Sequence, residues 1–195
     1  MAHLCSYAAF RSRCHCFILY IGMTKTAVLA GGCFWGLEEL FRSLPGVTDT
    51  EVGYTGGSNE NPTYRDHPGH AEALRITYDD EKTSFTTLLD WFFCVHNPTT
   101  LNQQGNDIGT QYRSAIFYHN EAQKKVSEEI IAALNQAKAY PSPIVTEVTP
   151  FDVFYKAEDY HQNYYNDNSG EGYCRYVIQP KIEKFEKVFK DRLKE

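Results

Sequence analysis

Gly31-Gly32-Cys33-Phe34-Trp35-Gly36 brackets one cysteine with glycines and sets two large aromatic rings beside it. Ahead of it, Thr26-Ala27-Val28-Leu29-Ala30 is a short apolar run of the kind that forms a buried strand. Behind it, Leu37, Leu40, Phe41 and Leu44 recur at helical spacing until Pro45-Gly46 stops the helix. A cysteine in the first turn of such a helix meets unpaired backbone N–H groups and the positive end of the dipole, which favour a thiolate. Gly31 and Gly32 allow a tight turn with positive φ, and Gly36 allows another segment to approach closely. On position alone two readings stand. Cys33 is an activated nucleophile, or it is a small core hydrophobe with Phe34 and Trp35 as core neighbours.

Other residues able to do chemistry stand in short motifs along the chain. They are Gly53-Tyr54-Thr55-Gly56-Gly57, Asn61-Pro62-Thr63-Tyr64, Gly69-His70-Ala71-Glu72, Gln104-Gly105-Asn106-Asp107, Gly109-Thr110-Gln111-Tyr112-Arg113-Ser114 and Gly172-Tyr173-Cys174. Taken in order with the cysteine hexapeptide, they resemble the A-type peptide methionine sulfoxide reductases (MsrA family), from about Thr24 to the end of the chain.

That resemblance implies reduction of methionine S-sulfoxide, protein-bound or free. A sulfoxide needs a soft nucleophile for its sulfur and a proton for its oxygen. Cys33 would supply the first and become a sulfenic acid. Glu72, a carboxylic acid kept partly neutral by burial, would supply the second. Tyr64 and Tyr112 would hydrogen-bond the sulfoxide oxygen. Asp107 would shape the pocket, and Phe34 and Trp35 would hold the S-methyl group. Cys174 would resolve the sulfenic acid as a disulfide, which thioredoxin or another dithiol would reduce. No prosthetic cofactor or metal is implied, and a monomer is expected.

Read without the resemblance, several of these residues keep a plainer alternative. Glu72 could be an exposed edge-strand carboxylate, Asp107 a turn residue, and any one of 14 tyrosines a packing residue. His70 could order its loop or act as a base for Cys33. Two other functions are therefore carried: a cysteine hydrolase or acyltransferase pairing Cys33 with His70 or His96, and a non-enzymatic sulfoxide-binding redox sensor. The chain also departs from the family. Only Arg65-Asp66-His67-Pro68 separates Tyr64 from Gly69, and Asn97 stands between His96 and Pro98 where an aspartate is usual.

The elements that must position these groups follow from periodicity. Val47 to Tyr54 reads as a strand, and Glu72 to Tyr78 alternates as a half-buried one. Ser84 is a plausible N-cap for a helix with Phe85, Leu88, Leu89 and Phe92 on one face, and Cys94 reads as a core thiol on that helix. Tyr112 to Tyr118 is the next strand. Glu121 to Ala139 is a helix with Val126, Ile130, Ala133 and Leu134 inward, and Ile144 to Val148 a further strand. A short aromatic helix covers Ala157 to Tyr165. Gly170 to Gly172 opens a flexible tail carrying Cys174, and Pro180 starts a last helix with Ile182, Phe185, Val188 and Phe189 apolar. Interleaved strands and helices predict one domain with helices on a sheet. The resemblance adds a two-layer α+β sandwich of ferredoxin-like type, with a mixed sheet.

The 195 residues suffice for a core, and a formal charge of −6 argues against a nucleic-acid footprint. No apolar run approaches bilayer-spanning length. The six cysteines show no familiar zinc spacing, and Cys14-His15-Cys16 has no second ligand pair nearby. Residues 1–23 carry Arg11 and Arg13 but no acidic residue. They read either as an organelle transit peptide or as sequence upstream of an alternative start at Met23. The catalytic domain is therefore placed at 24–195, in the cytoplasm, or in the mitochondrion or another organelle if the first segment is a transit peptide.

Overall fold

The computed structural model of the chain describes residues 24–190 and 193, so the two readings of residues 1–23 lie outside the described residues. Strand β1 (Thr24–Gly31) turns fully buried from Ala27 onward, as its apolar run requires. It leads into helix α1 (Phe34–Arg42), then β2 (Val47–Thr55) and β3 (Ala71–Asp79). Helix α2 (Phe85–Val95) begins at the expected cap, where Ser84 Oγ accepts the Thr87 N–H at 3.0 Å. A small hairpin, β4 (Gln103–Gln104) and β5 (Asp107–Ile108), precedes β6 (Ser114–Tyr118). Helix α3 (Glu121–Gln136), strands β7 (Glu147–Pro150) and β8 (Phe154–Lys156), and helices α4 (Tyr164–Asp167) and α5 (Gln179–Phe189) complete the order.

The main sheet runs β7-β6-β1-β3-β2-β8. Every pair is antiparallel except β6 with β7, so the sheet is mixed. Within it, β1-α1-β2-β3-α2-β6 with sheet order β6-β1-β3-β2 is the ferredoxin-like arrangement, an α+β two-layer sandwich. Alternation decides which side chains meet the helices. Leu29, Leu74, Ile76 and Ile116 form one core with Leu37, Phe41, Leu88 and Phe92 from α1 and α2. Val28, Ala30, Ala73 and Phe117 form a smaller cluster on the opposite face. Glu72 shares the parity of Leu74 and Ile76, so this register sends its carboxyl toward the helix layer.

Several local expectations are corrected. Tyr112 ends a 3₁₀ turn, Thr110–Tyr112, entered through Gly109 at φ 150°, rather than beginning β6. Helix α3 stops at Gln136, because the chain turns left-handed at Lys138 with φ 51°. Ala133 is exposed, while Val126, Ile130 and Leu134 pack against the core as expected, with Gln123 and Ser127 buried beside them. Strand β7 lies slightly later than Ile144 to Val148. The segment 157–165 is broken by left-handed Asn163 into a 3₁₀ turn, Asp159–His161, and α4. Cys94 is exposed, since it falls one turn after exposed Asp90, off the buried Leu88–Phe92 stripe. Cys174 is fully buried, at the start of a π-helical turn, Cys174–Ile178, that runs straight into α5. It does not hang in an open tail. Among the described residues no helix is long and apolar enough to cross a membrane.

Candidate active site

Two glycines deliver Cys33 to the mouth of α1. Gly32 adopts φ +97°, and a Cβ there would stand 2.6 Å from Gln104 Cγ. Gln104 cannot yield easily, because its amide accepts the Asn97 N–H and donates to the Asn97 carbonyl, both at 3.1 Å. Asn97 uses its own side-chain oxygen to accept from the Thr99 N–H and hydroxyl, contacts an aspartate could make equally well. Gly32→Ala is therefore expected to cost about 2 to 5 kcal/mol from the left-handed backbone and the clash together. A urea unfolding midpoint at the wild-type value would contradict this.

Cys33 itself is the N-cap residue of α1, one position before the first turn in which it was expected. The neighbouring Trp35 backbone N–H and the Tyr173 hydroxyl both act to favour the thiolate. Burial works the other way and is larger, and negative charge at Glu72 adds to it, so the thiol is pushed far above its ordinary range. The helix-mouth argument is right in sign but outweighed by desolvation. The resting nucleophile is a thiol.

Glu72 is 1% exposed. Burial pushes its carboxyl up to about 8; the Phe34 N–H, which donates to Oε2 at 3.1 Å, opposes the shift, and the charge on Asp107 reinforces it. At neutral pH it is therefore a carboxylic acid with a proton to give. The edge-strand alternative is excluded, because β3 lies between β1 and β2.

Tyr64 and Tyr112 reach the same space from separate loops. Burial, followed by the charge of Glu72, raises the Tyr64 phenol to about 12 and holds the Tyr112 phenol well above its ordinary value. Both remain hydrogen-bond donors at any working pH. Tyr64 stands in a tight turn closed by reciprocal backbone bonds between Thr63 and Asp66, at 2.9 and 3.0 Å. This is how the short Arg65–Pro68 connection still presents the phenol. Glu158 fixes the turn, accepting from the Tyr64 N–H and the Tyr54 hydroxyl at 3.0 Å each. Asp107, on β5, accepts the Tyr173 hydroxyl at 2.7 Å.

The aromatic wall is built around Trp35. Its indole stacks on Tyr164 at 3.8 Å between ring centroids and lies parallel to Tyr64 at 6.4 Å. Its Nε1–H donates to His161 Nδ1 at 3.1 Å, so the proton of that buried imidazole is on Nε2. Phe34 is fully buried behind Trp35, against Tyr54 and His161. Tyr164 owes its position to Glu38 of α1, whose buried carboxylate pairs with Arg42 at 2.6 Å and accepts the Asn163 N–H at 2.8 Å.

The two histidines proposed as bases are committed elsewhere. His70 accepts from the Gly57 N–H at 3.2 Å and donates to the Asn59 carbonyl at 3.0 Å, which makes it a loop-ordering residue. His96 donates from Nδ1 to the Phe92 carbonyl at 2.6 Å and accepts the Ser114 hydroxyl at Nε2 at 2.7 Å. Burial lowers its pKa to about 4, so it stays neutral. Among the described residues no three of His, Cys, Asp and Glu converge as metal ligands.

Cys33, Glu72, Tyr64, Tyr112, Asp107, Trp35 and Phe34 thus come together, with Cys174 joined to them through its neighbour Tyr173. Sequence reasoning passed over Tyr173, Tyr164, His161, Glu158 and Glu38. Only Tyr173 had a signal, its place in Gly172-Tyr173-Cys174.

A family model described as peptide methionine sulfoxide reductase matches residues 25–193. The chain is 56% identical over 141 residues to "Peptide methionine sulfoxide reductase MsrA" of Nocardia farcinica, covering 72% of this chain and 83% of the relative. It is 48% identical over 174 residues to the protein of the same name in Saccharolobus solfataricus, covering 87% and 97%. Among solved structures it is similar to reduced Mxr1 of Saccharomyces cerevisiae, with TM-score 0.71 and 35% identity over 77% of this chain and 89% of that one. It is also similar to Mxr1 in complex with Trx2, with TM-score 0.53 and 28% identity over 72% and 84%.

Proposed function

This chain belongs to the peptide methionine sulfoxide reductase family and is a thiol-dependent reductase of methionine sulfoxide, a premise from which we propose how its own residues perform the reaction. The S epimer, free or in a protein, lays its S-methyl group on Trp35, with Phe34 stiffening the wall from behind. The hydroxyls of Tyr64 and Tyr112 donate to the sulfoxide oxygen. Cys33 Sγ attacks the substrate sulfur while Glu72 gives its proton to the departing oxygen and takes up the thiol proton. The hydroxyl then passes from the substrate sulfur to Cys33 Sγ as the transient S–S bond and the substrate S–O bond both break, leaving Cys33 as a sulfenic acid and methionine as the free thioether. The substrate sulfur gains the two electrons that the Cys33 sulfur loses, and Glu72 ends protonated as it began.

Cys174 then attacks the Cys33 sulfenic sulfur and expels water, forming a disulfide. A dithiol protein of thioredoxin type reduces it by exchange. The complex of the yeast relative with Trx2 supports that choice of reductant. On this reading residues 24–195 work as one catalytic domain, as a monomer and without a prosthetic group.

The observation that carries the reading is Glu72: a buried carboxyl kept neutral, in hydrogen-bond contact with the residue next to the nucleophile and within the field of both phenols. Resolved S and R sulfoxides offered with dithiothreitol should yield methionine from the S epimer alone. No methionine from either would sink the proposal. Cys174→Ser should release one methionine per enzyme and then stall with thioredoxin as reductant. Repeated turnover by that variant would remove Cys174 from the resolving role.

A further inference from the structure

The 3₁₀ turn Asp159–His161 lies behind the aromatic wall. His161, 1% exposed, stands against Phe34 with ring centroids 5.3 Å apart and against Tyr64 at 4.5 Å. Its Nδ1 accepts the Trp35 Nε1–H at 3.1 Å. Glu158, the residue before the turn, accepts the Tyr64 backbone N–H at 3.0 Å. One short segment thereby grips both the indole that receives the S-methyl group and the tyrosine that donates to the sulfoxide oxygen in the proposed mechanism.

The grip on the indole differs in kind from ring packing. Stacking of Trp35 on Tyr164 tolerates sliding in the ring plane, whereas an N–H···N bond has a direction and weakens steeply off line. The indole has one polar atom, so its bond to His161 is the directional restraint on the side chain. Accepting that bond requires a neutral imidazole with its proton on Nε2. The Nε2 position is buried and has no hydrogen-bond partner among the described residues. An orphaned buried N–H is rare and calls for a reason, and the acceptor needed on the opposite nitrogen supplies one. Glu158 Oε2 lies 4.0 Å from Nε2, too far for a hydrogen bond but near enough for its charge to favour the proton there over Nδ1.

We propose that His161 is a positioning residue that sets substrate size: its Nδ1, kept unprotonated by the Glu158 carboxylate, holds the Trp35 indole at the spacing from Tyr64 that admits an S-methyl sulfoxide and disfavours a larger S-alkyl one. The inference rests on the reading of Trp35 as the methyl wall. Trp35 and Tyr64 lie 21° from parallel with centroids 6.4 Å apart, and the His161 ring touches both, so it fixes one against the other. An indole released from His161 can rotate away from Tyr64 and make room for another methylene. His161 acts through Trp35 and takes no part in the sulfur chemistry.

The test compares His161→Leu with His161→Asn, side chains of almost equal volume. Asparagine Oδ1 takes the place of Nδ1 and can accept the indole N–H, and leucine cannot. Each variant is assayed with dithiothreitol on free methionine S-sulfoxide and on its S-ethyl homologue. One methylene in a fitted apolar pocket is worth about 10- to 200-fold in kcat/KM. The methyl-over-ethyl ratio should therefore fall about tenfold in His161→Leu and recover in His161→Asn, with KM for the methyl substrate rising more than kcat falls. By proton–nitrogen NMR the Trp35 indole N–H, one of two with Trp91, should lie downfield in wild type and His161→Asn and move upfield in His161→Leu. Wild type alone should show a coupling across the N–H···N bond, a measurement that needs no variant to fold. A wild-type ratio in His161→Leu, an equal loss in both variants, or no coupling in wild type overturns the proposal. Trp35→Ala separates the two levels. If its ratio also stays at the wild-type value, Trp35 is not the methyl wall and both readings fall; a ratio lost there but kept in His161→Leu removes the positioning role alone.

Discussion

Cys33→Ser is expected to lower methionine formation by roughly 10⁴ to 10⁶-fold, the scale seen when a covalent nucleophile is lost from a preorganised site. The substitution is nearly isosteric, and it leaves Gly31, Gly32 and the cap geometry of α1 in place. What it removes is chemical. A serine oxygen is a hard nucleophile toward sulfoxide sulfur and cannot become a sulfenic acid, so no oxygen acceptor remains. The groups that would hold the substrate, Trp35, Tyr64, Tyr112 and Glu72, are untouched, so sulfoxide affinity should stay within a few-fold. Quenching of Trp35 fluorescence by titrated sulfoxide can check this. Residual turnover above about one percent of wild type would place the reacting thiol elsewhere.

Glu72→Gln carries the second large effect. Glutamine keeps an oxygen to accept the Phe34 N–H but has no acidic proton, and the chemical step should slow by about 10² to 10⁴-fold. The pH profile makes the test specific. In wild type the group must be protonated to act, and its pKa stands at about 8. Single-turnover methionine formation should therefore be level below that pH and fall about tenfold per unit above it. The Cys33 thiol, pushed up by burial, stays protonated through this window. The falling limb should vanish in Glu72→Gln, and a limb that survives there would assign it to another group.

The same shift has a consequence for stability. The folded-state pKa of Glu72 is raised from 4.5 to about 8, so the native state binds a proton that the unfolded chain releases. That contribution is complete below pH 4.5 and is lost as pH rises through 8. Glu72→Gln should lose less stability than wild type over this interval.

The ordered motifs, the strand before Cys33 and the cap at Ser84 could be read because each depends on neighbours a few residues away. The same locality explains the misreadings. The period of α3 did not disclose that Ala133 faces solvent, because burial depends on how the helix lies on the sheet. Cys94 looked like core for the same reason. Asn163 broke an expected aromatic helix, since a single left-handed residue there lets the chain hand its N–H to Glu38 on α1.

The sequence by itself determined the βαββαβ order, the cysteine at a strand–helix junction, and the set of groups available for sulfoxide chemistry. Only the tertiary structure decided their states: a protonated Cys33, a neutral Glu72, His70 and His96 tied up in the scaffold, and Tyr173 hydrogen-bonded to Asp107. The physical reason is that a protonation state reflects burial and charges brought together by folding. The Phe34 N–H that Glu72 meets comes from 38 residues away and the Asp107 that Tyr173 meets from 66, distances that periodicity does not encode. The glycine-bracketed cysteine marked where the chemistry happens, and folding set which atom holds the proton when it begins.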